Sequence, residues 1–325
     1  MLRDQACPPW PASTDRQENT CLDSHPGHNI LASKNPVVIH EPTSSPVERI
    51  HTARSGILNP GLLFRELIVH LWGSRHLARQ LFLRDIRQRY RQSVFGLLWI
   101  LVPPLATTAI FVFLNARKIL NIDPTDIPYP IYVLLGTLLW QIFSESVLAP
   151  LKAFDACTPI MIKINMPREA PILVGLLQVF FFMGIQLIPV IGIMIWSGVR
   201  LSPALLITPL AILMLILLGM SIGLCLVPLG GLFRDIHEGS AMALKLLFFL
   251  TPVVYPAPQE WPWSLIVSLN PVTPLLQGAR DLMSQGAMRD PEAFWIVCLI
   301  VIVLLPLALI FYRLAVPLVL ERMGA

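Results

Sequence analysis

Charge is scarce in this chain and unevenly spread. Of 325 residues, 14% are Asp, Glu, Lys or Arg and 55% are hydrophobic, whereas a soluble domain carries about 25% charged residues. Cysteine is sparse too. The five, at positions 7, 21, 157, 225 and 298, have neither paired nor metal-ligand spacing, which excludes a disulfide scaffold and a zinc module. No G-x-x-x-x-G-K-[ST] occurs, so no loop of that kind cradles ATP phosphates. The apolar segments contain no His and no D-D-x-x-D, so the clustered groups expected of metal or base catalysis at a membrane face are missing. No repeat of roughly 20–50 residues stands out. No inverted halves with matching broken segments appear either, which argues against a secondary transporter.

What is present is apolar length. A bilayer core of roughly 30 Å takes about 20 apolar helical residues. Six windows qualify: 97–116, 131–151, 171–199, 201–233, 239–259 and 293–312. Four carry no charge, and the other two carry one each, Glu145 and Lys245. The expectation is an all-α polytopic membrane protein with six transmembrane helices. Pro228, Gly230 and Gly231 are expected to end the fourth span. Glu145 lies deep in the second span without an evident partner, whereas Lys245 sits near a span end where it can snorkel.

Residues 1–60 differ in kind. They hold eight prolines and no apolar period, too little to offset the entropy of ordering. They are read as a disordered N-terminal extension, not a secretory signal, and residues 61–325 as the transmembrane domain.

Lysine and arginine counts orient the chain. With both termini cytoplasmic, thirteen lie inside, including seven arginines between Arg65 and Arg91, and five lie outside. The net charge of +4 thus reads as topology and not as nucleic-acid binding.

The densest charge precedes the first span. In RDIRQRYR, Arg84, Arg87, Arg89 and Arg91 fall within eight residues. At 100° per residue, Phe82, Leu83, Ile86, Tyr90 and Val94 share one face of a helix, and Arg84, Arg87, Gln88 and Arg91 the other. This predicts an amphipathic helix in the headgroup plane. Arginines there anchor topology, and at an entrance they also suit a phosphate-bearing lipid headgroup.

The run LFLRDIRQRYRQSVFGLLWILVPPL resembles the start of the membrane subunits of ABC-2-type polysaccharide exporters, through Arg84, Asp85, Ile86, Arg89, Tyr90, Gly96, Trp99 and Pro103, with Phe95 where Leu is usual. MIKINMPREA, GLFRDIHE and the segment from TPVVYPAPQEWPW to LNPVTPLLQGARD resemble later loops of the same family, together covering about residues 62–320. The resemblance implies a homodimer, a separate ABC ATPase that binds ATP and Mg, and a lipid-linked glycan of the O-antigen, capsule or teichoic-acid type. It places the protein in the bacterial inner membrane.

By the same resemblance, Arg84, Arg87, Arg89, Tyr90 and Arg91 form the substrate entrance. Lys163, Pro167, Arg168 and Glu169, with Arg234 and Asp235, couple to the ATPase, the first group on a short proline-bounded helix within 155–169. Pro252, Tyr255, Pro256, Asn270, Pro271 and Arg280 build an external gate, with short helices at 265–269 and 274–283. Trp99, Trp140, Phe143, Phe248 and Phe249 are candidate channel aromatics. Two alternatives share the hydropathy pattern: an ABC-2-type exporter of drugs or small lipids, and a membrane enzyme acting on lipid-linked sugars.

Overall fold

Helices are the only regular structure among the described residues, as a lipid-spanning chain requires when it has no water to satisfy its backbone. The computed structural model describes residues 60–91, 95–120, 122, 124–125, 127–163, 166–196, 206–258 and 260–324. The extension expected at 1–60 lies outside them but for Pro60, as does Val94. Residues 51–325 form one unit. Its helices are α1 (Pro60–Tyr90), α2 (Val102–Ala116), α3 (Tyr129–Lys163), α4 (Ala170–Trp196), α5 (Thr208–Leu232), α6 (Asp235–Leu250), α7 (Trp263–Leu269), α8 (Val272–Ser284) and α9 (Pro291–Gly324), with a 3-10 turn at Gly96–Ile100.

The six expected spans correspond to α2, α3, α4, α5, α6 and α9. Among the described residues, α3, α4, α5 and α9 are long and apolar enough to cross a bilayer unaided. The shorter α2 is extended at its start by the 3-10 turn.

Helix α3 is the centre of the bundle and packs on α2, α4, α5, α6 and α8. Its contact with α5 depends on G-x-x-x-G spacing at Gly219 and Gly223. A Cβ on Gly219 would meet Ser146 Cβ at 2.6 Å, and one on Gly223 would strike the Val147 carbonyl and Pro150. Small residues four apart let two helix backbones touch, the main source of association where lipid is as apolar as the side chains. Thr108 of α2 and Thr137 of α3 add an interhelical hydroxyl hydrogen bond of 3.2 Å.

Helix α5 ends at Leu232, just past Pro228, Gly230 and Gly231 and before Arg234, where the fourth span is expected to end. The two glycines also serve packing, since a Cβ at Gly231 would meet Val319 of α9 and one at Gly230 would meet His237. Three boundaries differ from expectation. Helix α6 stops at Leu250, short of the 259 expected for the fifth span. Helix α3 continues past Leu151, through Pro150 and Pro159, to Lys163. The separate short helix expected within 155–169 is therefore the last turns of α3. Helix α1 is 31 residues long, far more than the stretch read as amphipathic. It turns Ser74, Ala78 and Leu81 inward, rests on α4, and stacks Phe82 edge-on against Phe181 at 5.9 Å. Leu83, placed on the apolar face by its angle, is exposed.

Candidate functional site

The arginines of α1 part into two groups around the helix. Arg84, Arg87 and Arg91 line an open groove with Gln80, Leu83 and Gln88. Arg84 also makes an ion pair with Asp85 at 2.9 Å. Arg89 and Tyr90 turn the other way and line a cavity of about 390 Å³ with Gly96, Trp99, Ile100, Pro103, Gln141, Glu145, Phe182 and Gln186. The chain enters this wall through Gly96, whose φ of +52° is one that side-chain-bearing residues rarely adopt. Arg89 sits over the Phe182 ring at 5.8 Å.

Charge in the cavity is mixed. Glu145 is not unpartnered, as its place in an apolar span implied, but pairs with Lys152 two turns along α3 at 3.2 Å. Burial pushes the Tyr90 phenol above its ordinary range, and Glu145 adds to this while Arg89 opposes it. Tyr90 is thus a neutral hydroxyl at physiological pH. Gln186 of α4 is 1% exposed, and neither its Nε2 nor its Oε1 has a hydrogen-bond partner. Sequence reading passed over Gln141 and Gln186. The available signal was a polar amide inside an apolar span.

The opposite end of α3 meets the turn after α6. Arg280 of α8 is 3% exposed and donates from Nη1 to the Val253 carbonyl at 3.1 Å and to that of Pro252 at 3.4 Å. Its guanidinium lies 3.8 Å from the centre of the Tyr132 ring. The Tyr132 hydroxyl donates to Tyr255 O, that of Tyr129 to Val254 O and that of Tyr255 to Phe249 O. Asn270 donates to Thr251 Oγ1 at 2.8 Å and accepts from Val272 N–H. Pro252, Tyr255, Asn270 and Arg280 are thus brought together, while Pro256 and Pro271 flank them in sequence. Tyr129, Tyr132 and Gly136 were not foreseen. A Cβ on Gly136 would collide with the Val253 carbonyl. The short helices expected here are α7 and α8, each starting two residues early.

At the end of the bundle that carries the arginines, Lys163, Pro167, Arg168, Arg234 and Asp235 are exposed. Glu169 is not. At 8% exposure its carboxylate faces Arg313 of α9 at 4.0 Å, and the neighbouring Arg168 carbonyl accepts from the buried Tyr312 hydroxyl at 2.9 Å. Glu169 therefore fastens the loop to α9 and does not project from it. The end of α3 is tied to the start of α6 by Asp155 and His237, whose carboxylate and imidazole stand 2.8 Å apart.

The five aromatics also divide. Phe143 is fully buried, and Trp140 nearly so. Both belong to a chain of ring contacts running Phe143–Trp140–Phe248–Phe249 with centroids 5.3–5.8 Å apart. Only Phe249 at 62% and Trp99 at 55% are strongly exposed. The first two rings pack the interior of the chain, and the exposed pair lies open at its surface.

Comparison with known proteins agrees with this architecture. Residues 76–284 match the family described as ABC-2 type transporter. The O-antigen export system permease protein RfbA of Klebsiella pneumoniae is 25% identical over 210 residues, 63% of this chain and 79% of that protein. The protein of the same name from Myxococcus xanthus is 25% identical over 244 residues, 74% of this chain and 92% of its own. The polysialic acid transport protein KpsM of Escherichia coli is 23% identical over 237 residues, 72% and 91%. With the family match covering well over half of the residues and several helices able to cross a bilayer, this chain is a multi-pass membrane protein and belongs to the ABC-2 type transporter family.

Proposed function

We infer that this chain is the membrane subunit of an ATP-driven exporter that moves lipid-linked, O-antigen-like polysaccharide from the cytoplasmic side across the bacterial inner membrane. The observation that carries the reading is the similarity, across most of the chain, to permeases named for O-antigen export and polysialic acid transport. Without a phosphate-cradling loop, ATP and Mg fall to a separate ABC subunit, and this subunit is a transporter without ATPase chemistry of its own. Two copies enclose the path. Both termini are cytoplasmic, in keeping with the lysine and arginine counts.

The site residues take roles that their positions support. The basic groove of α1 and Arg89 receive the anionic headgroup, since guanidinium forks hold two phosphate oxygens at once. Lys163, Pro167, Arg168, Arg234 and Asp235, exposed near the ends of α3 and α6 that Asp155 and His237 bring together, meet the ATPase. The turn held by Arg280 closes the outer end, and Trp99 and Phe249 offer rings on which sugar faces slide. Deleting the gene in its host and labelling surface glycan tests the reading. Surface polymer should disappear while lipid-linked polymer accumulates inside. Undiminished surface glycan would end the case for export of this substrate.

A further inference from the structure

A phosphate-binding entrance explains Arg89 but not the other polar groups of the cavity it lines. Gln141 and Glu145, one turn apart on α3, share that lining with Gln186 of α4, Tyr90 and the rings of Trp99 and Phe182. Gln186 decides the matter. A primary amide offers two donors and an acceptor, and burying it unpaired costs about 1–3 kcal/mol. Here the amide is 1% exposed without a partner, yet it lines a space of about 390 Å³, at the small end of the ~300–1,000 Å³ typical of small-molecule pockets. Its hydrogen bonds are unmet, and its polar atoms, which have almost no accessible surface as they stand, reach an occupant through rotation of the side chain.

The lining specifies that occupant. A bare phosphate is served by Arg89 alone in this lining, where Glu145 is paired with Lys152 and the two amides offer acceptors as well as donors. A hydrocarbon leaves the buried Gln186 amide without a partner. A ring of hydroxyl groups satisfies that amide and its polar neighbours. Carboxylate and amide oxygens accept from hydroxyls, the Gln NH₂ groups and the neutral Tyr90 hydroxyl donate, and an apolar ring face rests on Trp99. Resting on the export reading above, we propose that this cavity is a sugar subsite. It takes the first sugar of the exported glycolipid, next to the anionic group held by Arg89, so that the protein reads a hydroxyl pattern and not charge alone. Gln186, Gln141 and Glu145 set the specificity.

The test uses the full-length protein in lipid nanodiscs, titrated with a polyprenyl pyrophosphate and with the same lipid carrying one hexose. Hydrogen bonds to a buried site each contribute about 1 kcal/mol net, and 1.4 kcal/mol is tenfold in affinity. The sugar-bearing lipid should therefore bind about tenfold tighter or more, and Gln186→Met, of similar length but apolar, should bring the ratio near one. The variant should fold at least as well as the parent, because it removes a buried amide that has no partner. Trp99→Leu, at an exposed ring, should lower the ratio too, whereas Arg89→Ala should weaken both lipids together. A ratio near one in the unaltered protein overturns the subsite while leaving the export reading intact. A ratio that survives Gln186→Met unchanged also overturns it. Failure of both lipids to bind counts against lipid-linked export itself.

Discussion

A desolvated cation costs several kcal/mol unless its donors are met, so Arg280, at 3% exposure, is informative. Its Nη partners are the Pro252 and Val253 carbonyls and its face lies on Tyr132, while Nε has no partner, and Gly136 makes room for that approach. Arg280→Ala leaves buried carbonyls unpaired and should cost about 1–3 kcal/mol. Gly136→Ala pushes a methyl into the Val253 carbonyl and should cost about as much through overpacking. Because both act on one turn, their double variant should lose less than the sum. Thermal melting of the detergent-solubilised protein checks this, and strict additivity would show that the two residues do not share a lock. The α1 arginines make a different claim. Replacing Arg84, Arg87, Arg89 and Arg91 by Lys keeps the charge that sets topology but loses the fork geometry. Membrane levels should stay normal while export drops several-fold and lipid-linked polymer builds up inside. Full export by the quadruple variant would reduce these residues to anchors.

At the scale of elements, periodicity and charge located nearly all of the helices but not their ends. The 131–151 window identified α3, yet the helix continues for three more turns because Pro159 leaves only one donor missing and the segment packs through Cys157, Thr158 and Met161. What read as a separate docking helix is thus the continuation of the bundle's central helix, joined to α6 through Asp155 and His237. Cysteines at Lys163 and Arg168, which are exposed, should cross-link to the partner ATPase in membranes. One at Glu169 should not, since that side chain is buried against α9. Cross-linking at Glu169 equal to that at Arg168 would mean that the loop leaves its place on α9 in the complex.

For the whole molecule, the division of labour is the main expectation. The purified protein alone should hydrolyse no ATP, and its partner's ATPase activity should change when the two are combined in membranes. Activity in the isolated chain above that of a mock preparation would contradict the assignment. The protomer also leaves broad apolar faces on α2 and α6, with Ile110, Phe113, Met242, Leu246 and Phe249 exposed. Such faces suit lipid or a second copy equally.

Sequence by itself determined the membrane class, the helical content and the positions of the four long apolar helices, because each follows from apolar length along the chain. The arginine run, the exposed loop residues and the broken segment before α9 were legible for the same reason: charge and proline are local signals. Tertiary structure alone decided which residues meet. Nothing in the neighbourhood of Gly136 indicates Val253, nothing near Glu145 indicates Gln186, and Phe143 reads like Phe249 although one is sealed inside and the other exposed. Those relations depend on which faces of α3 its neighbours cover. Backbone approach at Gly219 and Gly223 contributes to that arrangement, and hydropathy, which averages around a helix, does not record it.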